Sequence, residues 1–118
     1  MLVTNLTHIT SESEFKETLG KNENVMICCG RMGPMCIPVY EAMDGLQEAY
    51  GHVAFRDMEF DSPLAGVIRS LPECQNFRGL PFTVYFKNGK VVKATSSIQT
   101  TDQITGILDK ELKPAAKQ

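Results

Sequence analysis

Apolar residues follow two kinds of pattern along the chain: short continuous segments and stripes with the spacing of a helix face. Short apolar segments of strand-like length predict five strands. These strands cover residues 2–9, 24–29, 52–60, 82–86 and 91–94. In the second inter-strand segment, Val39, Met43, Leu46 and Tyr50 recur at spacings of three and four, as on one face of a helix. Residues 24–29 are almost continuously apolar, which is typical of a central strand covered on both faces.

Helix starts are marked by capping residues. Ser11 and Glu14 have the spacing at which serine and glutamate satisfy each other's free backbone donors, and Thr100 and Gln103 repeat that spacing. Pro63 follows an aspartate and a serine and suits a first helical turn. The patterns predict helices over about residues 11–19, 64–71 and 100–112, and a further helix that ends near residue 51.

The last two predicted strands are joined by Asn88-Gly89, the pair that most readily supplies the positive φ angles of a type I′ hairpin turn. The elements therefore follow the order β-α-β-α-β-α-β-β-α. Alternating strands and helices imply parallel strands, and the hairpin adds an antiparallel pair. The prediction is an α/β fold with a central mixed β-sheet flanked by helices.

Composition narrows the classes of partner. The 118 residues are 42% hydrophobic and 22% charged, which fits one compact domain over residues 1–118. A net charge of -2 without a basic stretch argues against nucleic acid or an anionic membrane, and it favours small proteins or peptides. We find no signal-peptide or membrane-spanning pattern and expect a cytoplasmic protein. In that reducing compartment, four cysteines indicate redox, metal-binding or core roles.

Two segments carry a family resemblance. Residues 30–36 read Gly-Arg-Met-Gly-Pro-Met-Cys, and residues 79–90 read Gly-Leu-Pro-Phe-Thr-Val-Tyr-Phe-Lys-Asn-Gly-Lys. With the order of elements, they resemble thioredoxin over nearly the whole chain. The resemblance implies a thioredoxin fold and a cis bond before Pro81. It also implies a groove in which the backbone of Leu80 pairs with an extended partner segment.

The same resemblance identifies the loop residues beside that groove and the places where the chain departs from the family. The substrate-binding loop is Met32, Gly33, Pro34 and Met35. Met32 and Met35 hold the positions of the family's two cysteines, so the usual thiol-disulfide exchange is excluded there. Arg31 replaces the family's tryptophan, and Met26 replaces its buried aspartate. The segment between residues 61 and 81 is about five residues longer than in thioredoxins and contains Cys74.

The cysteines next to this loop suggest a displaced redox pair. Cys36 falls in the first turn of the second helix, where free N–H groups favour a thiolate. Cys29 lies seven residues earlier, and the intervening loop must bend back, so Cys29 and Cys36 are candidate catalytic residues. Cys28 should face away from Cys29 into the core. Cys74 is a possible accessory thiol if its segment folds over the site.

Three functions remain open at this stage. The first is an atypical thioredoxin-like redox protein without a cofactor, in which Cys36 attacks and Cys29 resolves a protein or peptide disulfide, with a thioredoxin-reductase-like donor. The second is a redox-inactive binding module that keeps the groove. The third is Cu(I) binding by Met32, Met35 and Cys36, since soft sulfur ligands favour that ion, although we favour a packing role for the methionines.

The remaining polar residues are predicted to lie at the surface. We interpret His8 and His52 as surface histidines rather than catalytic bases. Asp57, Glu59 and Asp61 alternate along the third predicted strand and are interpreted as solvated charges rather than a metal site.

Overall fold

The structure, a computed structural model, describes residues 2–75 and 79–114. Five strands form one mixed sheet: β1 (Thr7–His8), β2 (Asn24–Gly30), β3 (Val53–Glu59), β4 (Phe82–Lys87) and β5 (Lys90–Ser96). Their order across the sheet is β1-β3-β2-β4-β5. β1, β3 and β2 run parallel, whereas β4 is antiparallel to both β2 and β5.

Four helices cover the sheet: α1 (Glu12–Lys21), α2 (Ile37–Leu46), α3 (Gly66–Arg69) and α4 (Thr101–Glu111). Short 3-10 turns, Pro63–Ala65 and Pro72–Cys74, flank α3. The predicted α/β class and the predicted order of elements are confirmed. The capping box predicted at Thr100 and Gln103 is confirmed. The reciprocal box predicted at Ser11 and Glu14 is only half present: the Ser11 hydroxyl accepts from the Glu14 N–H, but the Glu14 carboxylate accepts from Thr10 instead of the Ser11 N–H.

Three elements are shorter than predicted. The first strand is only two residues long, because Leu2 and Leu6 leave the sheet edge and pack into the core. α2 ends at Leu46, where the Gln47 N–H bonds to the Asp44 carbonyl three residues back and tightens the last turn. α3 is a single turn, because the 3-10 turns on either side take up most of the predicted helix.

Apolar residues form one layer on each face of the sheet. The layer beneath α2 and α4, here the α2 face, contains Met26 and Cys28 from β2. The layer beneath α1 and α3, here the α1 face, contains Ile27 and Cys29. All seven residues of β2 are buried, as its apolar run predicts. The opposite directions of Cys28 and Cys29 follow from the alternation of side chains along a strand.

The hairpin between β4 and β5 turns at Asn88 and Gly89, with φ angles of 53° and 80°. Two positive φ angles are the requirement of the predicted type I′ turn. None of the helices within residues 2–75 and 79–114 is long and apolar enough to cross a bilayer.

Candidate functional site

The chain leaves β2 at Gly30 and forms a loop, here the methionine loop, over residues 31–36. The side chains of Met32 and Met35 are exposed by 41% and 44%. The loop begins α2 by a tight turn, in which the Gly33 carbonyl accepts hydrogen bonds from the N–H groups of Cys36 and Ile37. Two apolar, flexible side chains are therefore presented to solvent from a backbone that its own hydrogen bonds fix.

Gly30 is the point at which the loop, α2 and the segment before β4 converge. A Cβ atom at this position would lie 2.8 Å from Cys36 Sγ, 2.8 Å from Tyr40 Oη and 3.1 Å from Pro81 Cβ. The absence of a side chain therefore permits the close approach of all three groups. The Leu80–Pro81 peptide bond is cis in this arrangement.

Leu80 immediately precedes Pro81, the residue that meets the chain at Gly30, and lies two residues before β4. Its side chain is partly buried against the α2-face layer. Among the hydrogen bonds of the described residues, none uses the backbone N–H or carbonyl of Leu80, whereas the Gly79 carbonyl accepts from Ser97. Unpaired backbone groups at the end of a strand are a template for an added extended segment.

Cys36 is directed inward from the start of α2. Its side chain is only 3% exposed, and its Sγ accepts a hydrogen bond from the Arg31 N–H at 3.4 Å. The Tyr40 hydroxyl donates to the Arg31 carbonyl at 3.1 Å and holds the same residue from the other side. Burial restricts the access of a substrate to that sulfur.

The fold does not bring together the side chains of Cys29 and Cys36, which the sequence predicted as a redox pair. Cys36 belongs to the α2-face layer, whereas Cys29 belongs to the α1-face layer, so the sheet separates the two side chains. All four cysteines of the chain are free thiols. The two cysteines are only seven residues apart in the sequence, but the layer that each side chain joins depends on the direction in which it leaves the backbone.

Cys74 packs in the same α1-face layer as Cys29, so its segment folds over that side of the sheet and not over the methionine loop. Burial raises the pKa of Cys74. Burial also raises the pKa of Cys29 to about 12, and the neighbouring Cys74 adds to the effect. Both thiols are therefore held in the neutral form and are poor nucleophiles.

Two of the three sulfur atoms considered as Cu(I) ligands, those of Met32 and Cys36, each accept a hydrogen bond from a different backbone N–H group. Met32 Sδ accepts from the Val3 N–H at 3.3 Å, whereas Cys36 Sγ faces the Arg31 N–H. Within residues 2–75 and 79–114, no group of three or more histidine, cysteine, aspartate or glutamate side chains is arranged to hold a metal ion.

An ion pair fastens the methionine loop to the end of β3. Arg31 donates from Nε and Nη2 to the two carboxylate oxygens of Asp61, at 2.7 and 2.8 Å. This bidentate hydrogen bonding lowers the pKa of Asp61. The guanidinium groups of Arg31 and Arg69 both lie near the Phe60 ring, at 5.8 and 5.5 Å from its centroid.

Sequence reasoning missed a buried polar group, because Asp57 is not solvated as predicted but completely buried. Its Oδ1 lies 2.6 Å from Nδ1 of His8, and its Oδ2 accepts from the Thr4 hydroxyl at 2.5 Å. The signal was present in the sequence: Val53, Phe55 and Asp57 alternate along β3 and share the inward face. His8 is likewise not a simple surface residue, since it is two-thirds covered and paired.

Solved structures similar to this one are thioredoxins. A thioredoxin from Plasmodium falciparum is 20% identical, with a TM-score of 0.73, and the match covers 90% of this chain and 99% of that one. Oxidised mitochondrial thioredoxin 3 from Saccharomyces cerevisiae is 24% identical over 88% and 94% of the two chains, with a TM-score of 0.71. A mutant thioredoxin from Halobacterium salinarum is 17% identical over 98% and 100%, with a TM-score of 0.76.

No protein-family profile and no curated protein sequence matches the chain. The structural likeness shows the fold that the resemblance implied, which is the thioredoxin fold.

Substitution of Gly30 by alanine should destabilise the protein by about 1–3 kcal/mol, as overpacking of a filled site does. The added methyl group would meet Cys36, Tyr40 and the Pro81 ring, and that ring cannot rotate away. Urea unfolding measures the change. Gly106→Ala is the matched control, because nothing lies within 4 Å of a Cβ at that position of α4. It should be neutral or stabilise by up to about 1 kcal/mol, and an equal loss in both variants would contradict the crowding at Gly30.

Iodoacetamide should modify Cys29 only after the protein unfolds. A pKa of about 12, against an ordinary value of 9.0, reduces the thiolate fraction at neutral pH about 1,000-fold, and the closed α1-face layer excludes the reagent. Peptide mapping after labelling with and without urea measures the modified fraction. Modification of native Cys29 at the rate of an unfolded cysteine would contradict the burial.

Proposed function

We propose that this chain, a thioredoxin fold with methionine at both usual cysteine positions, is a binding module for an extended segment of a partner protein. Two observations carry the proposal. Among the hydrogen bonds of the described residues, none uses the backbone N–H or carbonyl of Leu80. Met32 and Met35 are exposed on the loop that begins at Gly30, where the loop meets Pro81. A partner strand that bonds to Leu80 would lie with its side chains against the methionine loop.

Methionine suits a contact surface in this position. A thioether cannot attack a disulfide, but its flexible chain and polarisable sulfur adapt to different apolar side chains. Met32 and Met35 are among the few large apolar residues exposed within residues 2–75 and 79–114. Their exposure in a protein with two well-filled core layers favours contact with a partner over a role in packing.

The backbone beneath these side chains is held in place before any partner binds. Arg31 is anchored at its side chain by Asp61 and at its carbonyl by Tyr40, while Gly33 is bonded to the first turn of α2. A fixed loop loses little conformational freedom on binding. Only the two methionine side chains then need to adjust.

Peptides selected on the wild-type protein from a random-peptide display library should bind at this surface. We expect the largest amide chemical-shift changes at Gly79, Leu80 and the methionine loop. Leu80→Asp should weaken binding at least about 10-fold, because a carboxylate replaces an apolar contact beside the docked strand. Cys36→Ser should change affinity by less than about 2-fold, since its thiol faces inward.

Val92→Asp is the matched control, because it also places a carboxylate on an exposed apolar position, on β5 and outside the groove. It should bind like the wild type. Thermal melts establish that each variant is folded. Equal loss of affinity in Leu80→Asp and Val92→Asp, or loss of binding in Cys36→Ser, would refute the binding module.

Thiol-disulfide exchange at Cys36 is the second candidate function, and the Arg31 N–H to Cys36 Sγ hydrogen bond favours it. In this reaction the Cys36 thiolate attacks one sulfur of a partner disulfide, a mixed disulfide forms, and the other partner sulfur leaves as a thiolate. The sequence-based mechanism assigns the next attack to Cys29, with a thioredoxin-reductase-like donor as the source of electrons. The side chains of Cys29 and Cys36 depart from opposite faces of the sheet, so we expect the reaction to stop at the mixed disulfide.

Incubation with cystamine followed by peptide mapping tests this candidate. We expect the cysteamine adduct on Cys36 and no peptide in which Cys29 is linked to Cys36. A Cys29–Cys36 linkage would restore Cys29 as the resolving residue. Absence of any adduct on Cys36 in the folded protein would exclude exchange at this site and leave the binding module unaffected.

A further inference from the structure

Asp57 is a carboxylate without solvent contact, and within the part of the chain that the structure describes each of its two oxygens has one side-chain partner. Oδ2 accepts from the Thr4 hydroxyl, and that hydroxyl in turn accepts from the Leu6 N–H, so its own hydrogen is directed at Asp57. Oδ1 lies 2.6 Å from Nδ1 of His8. A carboxylate can only accept hydrogen bonds, so Nδ1 of His8 carries the proton.

This hydrogen bond determines which nitrogen of His8 can react. With its proton on Nδ1, the neutral ring keeps a lone pair on Nε2, which is the atom that can act as a base or nucleophile. The side chain of His8 is 33% exposed, so Nε2 is not enclosed in the core with Asp57. A fully buried acid thus orients a partly exposed imidazole.

His8 faces a cavity of about 220 Å³ that no part of the proposed groove uses. Leu2 and Ile9 contribute apolar walls, and Thr10, Glu59 and Ser62 contribute polar atoms. The cavity lies where the parallel strands β1 and β3 end, since His8 is the last residue of β1 and Glu59 the last of β3. Ligands of α/β proteins commonly bind outside the carboxyl ends of parallel strands.

We propose that His8 and Asp57 form a reactive dyad for small, uncharged acyl esters bound in this cavity. Nε2 of His8 attacks the acyl carbon, the bond from that carbon to the leaving oxygen breaks, and the alcohol leaves as its anion. The acyl group is then carried by an imidazolium whose Nδ1 proton is bonded to Asp57. Water adds to the acyl carbon, the bond to Nε2 breaks, and the neutral His8 ring and the free acid are released with one proton, which neutralises the alcohol anion. Asp57 acts as a positioning residue, because it touches only the imidazole.

The cavity also sets the class of ester. Two acidic residues, Asp57 and Glu59, are among those that line the cavity, and their negative charge disfavours an anionic ester. The apolar walls at Leu2 and Ile9 suit an acetyl or similarly short acyl group. The volume is smaller than that of pockets for drug-sized ligands, which restricts the substrate to one small ring or chain.

His52 is an internal reference for this reactivity. Its Nε2 lies 2.9 Å from the Leu112 carbonyl and therefore donates to it, and its ring lies beside Tyr50. The nitrogen that is available in His8 is thus occupied in His52. An unselective reaction of surface histidines would involve both residues.

Hydrolysis of p-nitrophenyl acetate by the full chain at about pH 8 tests the proposal. His8→Gln should lower the rate at least about 10-fold, whereas His52→Gln should leave it within about 2-fold of the wild type. The anionic ester 4-acetoxy-3-nitrobenzoate should react at least about 10-fold more slowly than the neutral ester. Equal rates in wild type and His8→Gln, or equal losses in the two histidine variants, would overturn the dyad.

The Asp57→Asn variant tests whether Asp57 positions the imidazole of His8. One amide oxygen must still accept from Thr4, which turns the amide NH₂ toward Nδ1 and moves the histidine proton to Nε2. We expect the ester rate to fall at least about 10-fold and the nitrogen NMR shifts of His8 to change tautomer while those of His52 do not. An unchanged tautomer with a lowered rate would refute the positioning role.

The nitrogen NMR spectrum of the wild-type protein provides a test that requires no variant. A His8 ring with its proton on Nε2 in the native protein would overturn the proposal. Peptide binding at the Leu80 groove is measured separately, so failure of the dyad and failure of the binding module are distinguishable.

Discussion

The burial of β2 on both faces is the constraint on which the rest of the structure depends. All seven of its residues are buried, so each must fit one of two core layers that the strand itself keeps apart. This fixes Cys28 on the α2 face and Cys29 on the α1 face. It also requires the chain to leave the strand at a residue without a side chain, because Cys36, Tyr40 and Pro81 meet at Gly30.

The sequence predicted the features that are encoded locally. The N-cap at Ser11, the capping box at Thr100 and the turn at Asn88-Gly89 involve residues within a few positions of each other, so their geometry follows from composition and spacing. The order of elements follows from the same local signals, and with the parallel-strand rule it leads to the mixed sheet. None of these inferences requires knowledge of which elements lie face to face.

The site was predicted less well, because its chemistry depends on faces and neighbours. Cys29 and Cys36 are close in sequence. Successive side chains of β2 point to opposite faces of the sheet, however, and that of Cys29 points to the α1 face, away from α2. The interpretation of Asp57 as a solvated charge is wrong, because aspartate is buried only with partners, and the spacing of residues along β3 does not reveal them. Its partners, Thr4 and His8, come from an N-terminal segment that pairs with β3 only after the sheet is assembled.

That N-terminal segment links the two surfaces at the carboxyl ends of the parallel strands. Val3 donates its N–H to Met32 in the methionine loop, and Thr4, the next residue, donates its hydroxyl to Asp57 in the core. Leu2 and Leu6 fix the segment on either side by burial in the α2-face layer. A displacement of the segment that removed Thr4 from Asp57 would therefore also remove Val3 from Met32. The position of the exposed methionine and the orientation of the His8 imidazole thus depend on the same few residues.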